Sequence, residues 1–377
     1  MSSLGRLVGE RRILVCCGPG GVGKTSVAAA LALEGAVQGR RACVVTIDPA
    51  RRLADALGLG ELTNQPGTVA GEWPGELWAL MLDTASTFDD LVRRYARTPE
   101  QAESILGNRL YRNIAGALSG TQEYMATEKL YELHEEGRFD LIVVDTPPTR
   151  NALDFLDAPR RLARFLDNRV FRLVVMPTRA YLRAVSVATQ AFLRTVSKVV
   201  GSEVISDAVA FFQAFEGMEK GFRDRAREVD RLLHSGSAAF VLVTTARRDA
   251  VEEGSFFAGR LGDYGFKVEA LVVNRLHPRF GGGGGGGDRG RARTLAGTPL
   301  GALFANLADF RQVAEREEAH FAALAEQVTP APVVRVPFLA GDIHDLAGLA
   351  ELNRSLFPPP PAGGPGAATH SPDVAST

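Results

Sequence analysis

The octapeptide Gly18-Pro19-Gly20-Gly21-Val22-Gly23-Lys24-Thr25 constrains this chain more than any other feature, because it fits the pattern G-x-x-x-x-G-K-S/T without a mismatch. Glycines let successive backbone N–H groups curl around one anion, which a lysine and a hydroxyl then complete. The flanks supply the rest of the geometry. Ile13-Leu14-Val15-Cys16-Cys17 is a short apolar run that reads as a buried strand, and the Ala- and Leu-rich run from Ser26 to Gln38 reads as a helix closed by Gly39. Strand, glycine loop and helix N-terminus together make a phosphate site. In that site Gly18, Gly20, Gly21, Val22, Gly23 and Ser26 form the cradle, Lys24 reaches the β- and γ-phosphates, and the Thr25 hydroxyl is a ligand for Mg²⁺. The motif implies binding of a nucleoside triphosphate.

Strands and helices alternate along the chain. Ala42–Ile47, Leu141–Val144, Ala239–Thr245, Val268–Asn274 and Val333–Pro337 are near-continuous apolar runs, as in strands covered on both faces, and Leu77–Leu82 is a weaker example. Helical patterns fill the gaps. This order predicts an α/β fold of the P-loop type, a doubly wound and mostly parallel sheet. Phe88–Gly137 and Asp154–Leu233 are long and poor in strand signals, and read as a helical subdomain inserted around the sheet. One domain over residues 1–357 is expected, with a flexible glycine loop at 281–293 and a disordered Pro, Gly, Ala and Ser-rich tail at 358–377. No internal repeat is visible, so one nucleotide site per chain is expected.

Two carboxylates stand at predicted strand ends. Phe139-Asp140-Leu141-Ile142-Val143-Val144-Asp145 is an apolar strand closing on Asp145, which can hold Mg²⁺ or a Mg²⁺-bound water beside the glycine loop. Thr46-Ile47-Asp48 repeats the pattern, and elements at the C-terminal ends of parallel strands converge on one crevice. No N-K-x-D base-reading motif follows the later strands, which favours adenine over guanine. Asn274, at a strand end, offers a carboxamide to read that base, or serves as a turn residue with local hydrogen bonds.

The 377 residues carry a formal net charge of −1, which argues against a general nucleic-acid binder. Cys16, Cys17 and Cys43 give neither a disulfide framework nor a C-x-x-C pair, and all three lie on predicted core strands. With no long apolar segment, a cytoplasmic protein is expected.

Several segments resemble the deviant-Walker-A P-loop ATPases, and within them the arsenite-pump and tail-anchored-protein targeting ATPase family. Thr46–Leu57, TIDPARRLADAL, is similar to that family's switch I, and Asp145–Leu153, DTPPTRNAL, to its switch II. Gly120–Met125 resembles its P-G-x-x-E-x-M segment. Val272-Val273-Asn274-Arg275 and Val336-Pro337-Phe338-Leu339 resemble the elements that line adenine. The resemblance runs from about Arg12 to Leu356. It implies a Mg²⁺-dependent ATPase in which Asp48 orients the attacking water, Asn274 and Pro337 meet the base, and a dimer rearranges as nucleotide turns over.

Three departures bear on mechanism. The family's loop begins G-K-G-G, with a lysine that reaches the partner's phosphates, and here that position is Pro19. There is no cysteine triad for As(III), and no C-x-x-C pair to clip a homodimer with zinc. The switch II Gly-His is replaced by Arg150-Asn151. The partners implied are a second copy or a lysine-bearing paralogue, and a hydrophobic protein client or membrane partner. Phe192, Phe211, Phe212, Phe215, Phe222 and Leu232 recur in amphipathic stretches of the insertion and are read chiefly as core, with a client groove as the alternative. A weakly hydrolysing regulatory subunit, an arsenite-efflux ATPase and a DNA-positioning ATPase are the competing classes, the last disfavoured by the near-neutral charge.

Overall fold

The computed structural model describes residues 2–47, 52–109, 111–112, 121–147, 149–167, 211, 214, 217–280 and 285–358. Its centre is an eight-stranded sheet of order β3-β4-β2-β5-β1-β6-β7-β8. The strands are β1 (Ile13–Cys17), β2 (Arg41–Thr46), β3 (Gly67–Val69), β4 (Glu76–Met81), β5 (Leu141–Asp145), β6 (Ala238–Thr245), β7 (Val268–Leu276) and β8 (Val333–Pro337). Every pairing is parallel except that of the edge strand β3 with β4. The sheet is the expected doubly wound one.

Alternation along β1 shows how both faces are covered. Ile13, Val15 and Cys17 join one core, while Leu14 and Cys16 join the other. The second core is closed by α1 (Ser3–Glu10), α2 (Lys24–Val37), α3 (Arg52–Ala56) and α12 (Leu346–Leu356). The first is closed by residues of α6 (Thr121–Glu135), α7 (Thr149–Asp167), α8 (Glu219–His234), α9 (Arg248–Asp263) and α11 (Pro299–Gln327). Because α2 is buried on nearly all sides, its Ala-rich sequence lets it approach the sheet closely.

A third core has no strand in it. Leu91 and Val92 of α4 (Thr84–Tyr95), Ala102 and Ile105 of α5 (Pro99–Leu106), Tyr124 and Met125 of α6, Ala158 of α7 and Phe222 and Ala226 of α8 pack together with Phe211. Phe222 lies 5.2 Å from Tyr95 and 6.4 Å from Phe88, centroid to centroid. The described apolar residues of the amphipathic stretches are therefore interior: Phe211, Phe222 and Leu232 are all buried. Phe192, Phe212 and Phe215 lie outside the described residues.

Two expectations need correction. Across the predicted flexible loop at 281–293, the described part is a helix, α10 (Gly285–Thr294), packed on α11. Glycine offers no helical propensity, so the cause is tertiary: Asp288 is buried and paired with Arg311, which also donates to the Phe280 carbonyl. By composition alone the charge-rich stretch Glu216–Arg231 is expected to form a solvated helix face, but its described part is not solvated throughout. Arg225 of α8 is buried, with Nη2 2.6 Å from Oε1 of the buried Glu128 and its guanidinium 3.8 Å from the Tyr131 ring centre. Burial holds the Glu128 carboxyl above its ordinary range against the pull of Arg225. Elements α1 and β3 had no counterpart in the sequence reading.

Candidate active site

Register decides which side chains meet. Asp145 ends β5 opposite Cys16 of β1 on one side and Thr46 of β2 on the other. The glycine loop leaves β1 at this level, so its Thr25 arrives over Asp145: Thr25 Oγ1 donates to Asp145 Oδ2 at 2.7 Å, and Thr46 Oγ1 donates to the same oxygen at 3.1 Å. Asp145 is 1% exposed. Two hydroxyls and a carboxylate, all oxygen donors, suit a hard divalent cation.

The loop needs its glycines for stated reasons. Gly18 has φ +143, and a Cβ there would lie 2.0 Å from the Val243 carbonyl of β6. Gly23 caps α2 with φ +94, and a Cβ there would lie 2.4 Å from Asn274 Nδ2. That asparagine is buried and ties two elements together: Nδ2 donates to the Val22 carbonyl at 2.9 Å, and Oδ1 accepts from the Arg275 amide at 2.9 Å. Helix α2 begins at Lys24, two residues earlier than the sequence pattern suggests, so the N–H groups of its first turn come from the loop itself. Lys24 is 7% exposed, with Nζ donating to the Pro19 carbonyl at 2.8 Å.

A cleft of about 940 Å³ opens at these strand ends. Its walls include Gly20, Gly21, Gly23, Lys24, Thr25, Ser26, Asp145, Asn274 and Pro337, so most of the predicted site residues are brought together. Two are not on its wall. Gly18 sits behind the loop against β6, and Val22 is buried and presents its carbonyl to Asn274. Asp48, with Pro49, Ala50 and Arg51, lies outside the described residues. The sequence reading missed Thr46, which precedes the switch-like Asp by two residues. It gave no role to Asp55 of α3 or to Ala340–His344 after β8, and it placed Arg275, Phe338 and Leu339 only in segments that resemble adenine-lining elements; with Arg52 of α3 these complete the cleft wall.

Cys16 and Cys17 lie beneath the loop and Cys43 on β2, all fully buried and free. Burial pushes all three thiols well above their usual range, so none is a thiolate available to a soft metalloid. Among the described residues no cluster of His, Cys, Asp and Glu could hold a metal, and no helix is long and apolar enough to cross a membrane.

A mostly parallel sheet carrying a glycine loop, a lysine at the first helical position and a strand-end aspartate is the arrangement of a P-loop nucleotide-binding fold. The family model described as anion-transporting ATPase matches residues 11–280, and the chain belongs to that family. Curated relatives agree. It is 28% identical over 286 residues to ATPase GET3C of Arabidopsis thaliana, covering 72% of this chain and 68% of that protein. It is 26% identical over 270 residues to the arsenical pump-driving ATPase of Acidiphilium multivorum, covering 69% of this chain and 39% of that protein. Over 174 residues it is 36% identical to uncharacterized protein SCO2128 of Streptomyces coelicolor, covering 46% and 42% of the two chains. The chain thus spans less than half the length of the last two relatives.

Proposed function

We propose that this chain binds ATP with Mg²⁺ in the cleft at the ends of β1 and β5, hydrolyses it, and uses the cycle to change its association with a second ATPase subunit and a protein or membrane-associated partner. The observation that carries this reading is the Thr25–Asp145 contact of 2.7 Å directly beside Lys24, at the mouth of a phosphate-sized loop. The residues fit the nucleotide: two loop positions admit no Cβ, and hydroxyl and carboxylate oxygens stand where a divalent ion is needed. Bound Mg²⁺ would supply charge neutralisation at the terminal phosphates.

Each side chain then has a role. Lys24 leaves the Pro19 carbonyl for the stronger, charged acceptor of a phosphate oxygen. Thr25 and Asp145 hold the metal, with Thr46 orienting the carboxylate. Asp48 orients the attacking water. Asn274 keeps loop and β7 in register, and its second Nδ2 hydrogen remains to meet the base beside Pro337. The helical layer from α4 to α8 belongs to the same domain and is the part that differs most from a bare nucleotide-binding sheet, so it is the element offered to a client.

Pro19 favours a second reading of the assembly. Phosphoryl transfer is mostly positioning and charge stabilisation, and this loop carries no lysine to lend to a neighbour. The chain is then a slow ATPase alone and the regulatory half of a heterodimer with a lysine-bearing paralogue. Arsenite as the substrate is disfavoured by the buried thiols. Steady-state hydrolysis by the purified chain, with and without a lysine-bearing paralogue, tests both. Stimulation on mixing supports the heterodimer. Fast hydrolysis alone, unchanged on mixing, refutes it, and no hydrolysis in either case refutes the ATPase role.

A further inference from the structure

We propose that Arg275 is a second phosphate-binding cation of this site, supplied by β7 rather than by the glycine loop. Its role rests on reading the loop as a nucleotide cradle, and it identifies a further residue of that cradle.

The backbone is the first observation. Among the described residues Arg275 is the one non-glycine residue with positive φ, at +59°. A residue with a Cβ is strained there and persists only where its surroundings fix it. Two features do so. The Arg275 N–H is held by Asn274 Oδ1 at 2.9 Å, and Asn274 is itself buried and bonded to the Val22 carbonyl. In addition, the pairing of β7 with β8 shifts register between Val273 and Leu276, so Arg275 lifts out of the ladder. Such irregularities re-aim a side chain and recur beside active sites.

The side chain is the second observation. Arg275 is exposed on the cleft wall next to Gly20, Gly21 and Lys24, and its Nη1 donates to the Gly21 carbonyl at 3.3 Å. Lys24 is disposed in the same manner, with Nζ on the Pro19 carbonyl at 2.8 Å. Two cations from different elements thus rest on two carbonyls of one phosphate loop. Both carbonyls are neutral acceptors, weaker than a phosphate oxygen, so an incoming anion can draw both cations onto itself. A guanidinium fork matches phosphate geometry. Stacking on the base is the other chemistry an arginine offers, but Nη1 already lies on the phosphate loop at Gly21. With Pro19 in place of a lysine, Arg275 supplies positive charge within the same chain.

The test displaces a fluorescent ADP from the full chain with ATP and, separately, with inorganic tripolyphosphate, which has no base. Arg275→Ala should weaken both competitors by roughly tenfold to a hundredfold, the range of a hydrogen bond to a charged group, and flatten the salt dependence of binding. Arg275→Lys, which keeps the charge, should restore most of the affinity. Weakening of ATP alone, with tripolyphosphate unaffected, would mean base stacking and overturn the proposal. Equal losses in the Ala and Lys variants would mean structural support of the loop and overturn it too. Unchanged affinity in Arg275→Ala, while the native chain binds, refutes this role alone. Failure of the native chain to bind ATP refutes the nucleotide reading beneath it as well.

Discussion

Replacing Gly23 by alanine tests how the loop is locked. The new Cβ would lie 2.4 Å from Asn274 Nδ2, closer than any real contact, in a residue with φ +94 and ψ 26. An alanine in the left-handed region costs about 1–2 kcal/mol. The asparagine is 7% exposed and hydrogen-bonded at both ends, so moving aside strands a buried carbonyl or amide at about 1–3 kcal/mol. The two sum to about 2–5 kcal/mol, a large part of the roughly 5–15 kcal/mol that holds a domain folded. Urea denaturation of Gly23→Ala, Asn274→Ala and the double variant separates the contributions. In the Asn274→Ala background the clash is gone, so Gly23→Ala should cost only its backbone part, about 1–2 kcal/mol. Additive losses would refute the lock, because they would mean that Gly23 and Asn274 do not meet.

Four further outcomes follow from the geometry. Asp145→Asn keeps a side chain of the same shape but halves the charge-bearing acceptor set; ATP affinity should lose most of its Mg²⁺ dependence in a titration with and without the metal. Asp48→Asn should leave ATP binding intact and slow single-turnover hydrolysis by about a hundredfold, and normal hydrolysis with lost binding would make it a structural residue. Arg225→Met strands the buried Glu128 carboxylate and should lower stability by about 3–5 kcal/mol in chemical denaturation, with Arg225→Met and Glu128→Leu together recovering most of it. The Asp140 carboxyl is held at about 2 by hydrogen bonds from Arg41. Its contribution is therefore present above the unfolded value of about 4 and is lost as pH falls from there toward 2. Since both side chains are substantially exposed, Arg41→Ala should remove under about 1 kcal/mol of acid-sensitive stability.

What could be read in the sequence was what is local in it. A phosphate loop needs its glycines, lysine and hydroxyl within one turn of chain, so the stretch from Gly18 to Ser26 declared itself, as did strands buried on both faces. Asp145 was legible because an apolar run ends on it. Thr46 was not, because its hydrogen bond to Asp145 depends on the register of β2 against β5, which no local pattern carries. Arg275 showed only as part of a segment that resembles an adenine-lining element; its contact with Gly21 goes with a break in the β7–β8 pairing that no local pattern carries. Helix α10 was misread because a glycine run has no intrinsic preference, and the buried Asp288–Arg311 pair that sets it comes from residues 23 apart. Arg225 looked like one more surface charge until α6 brought Glu128 against it.

Calorimetry of ATP binding to the purified chain, with Mg²⁺ and in its absence, for the native protein and for Lys24→Ala, tests the nucleotide cradle most directly. The cradle described here predicts one site per chain, tighter with Mg²⁺, and a loss of at least tenfold in affinity when Lys24 is removed. Equal affinity in the native chain and Lys24→Ala, or no binding by the native chain, would contradict it.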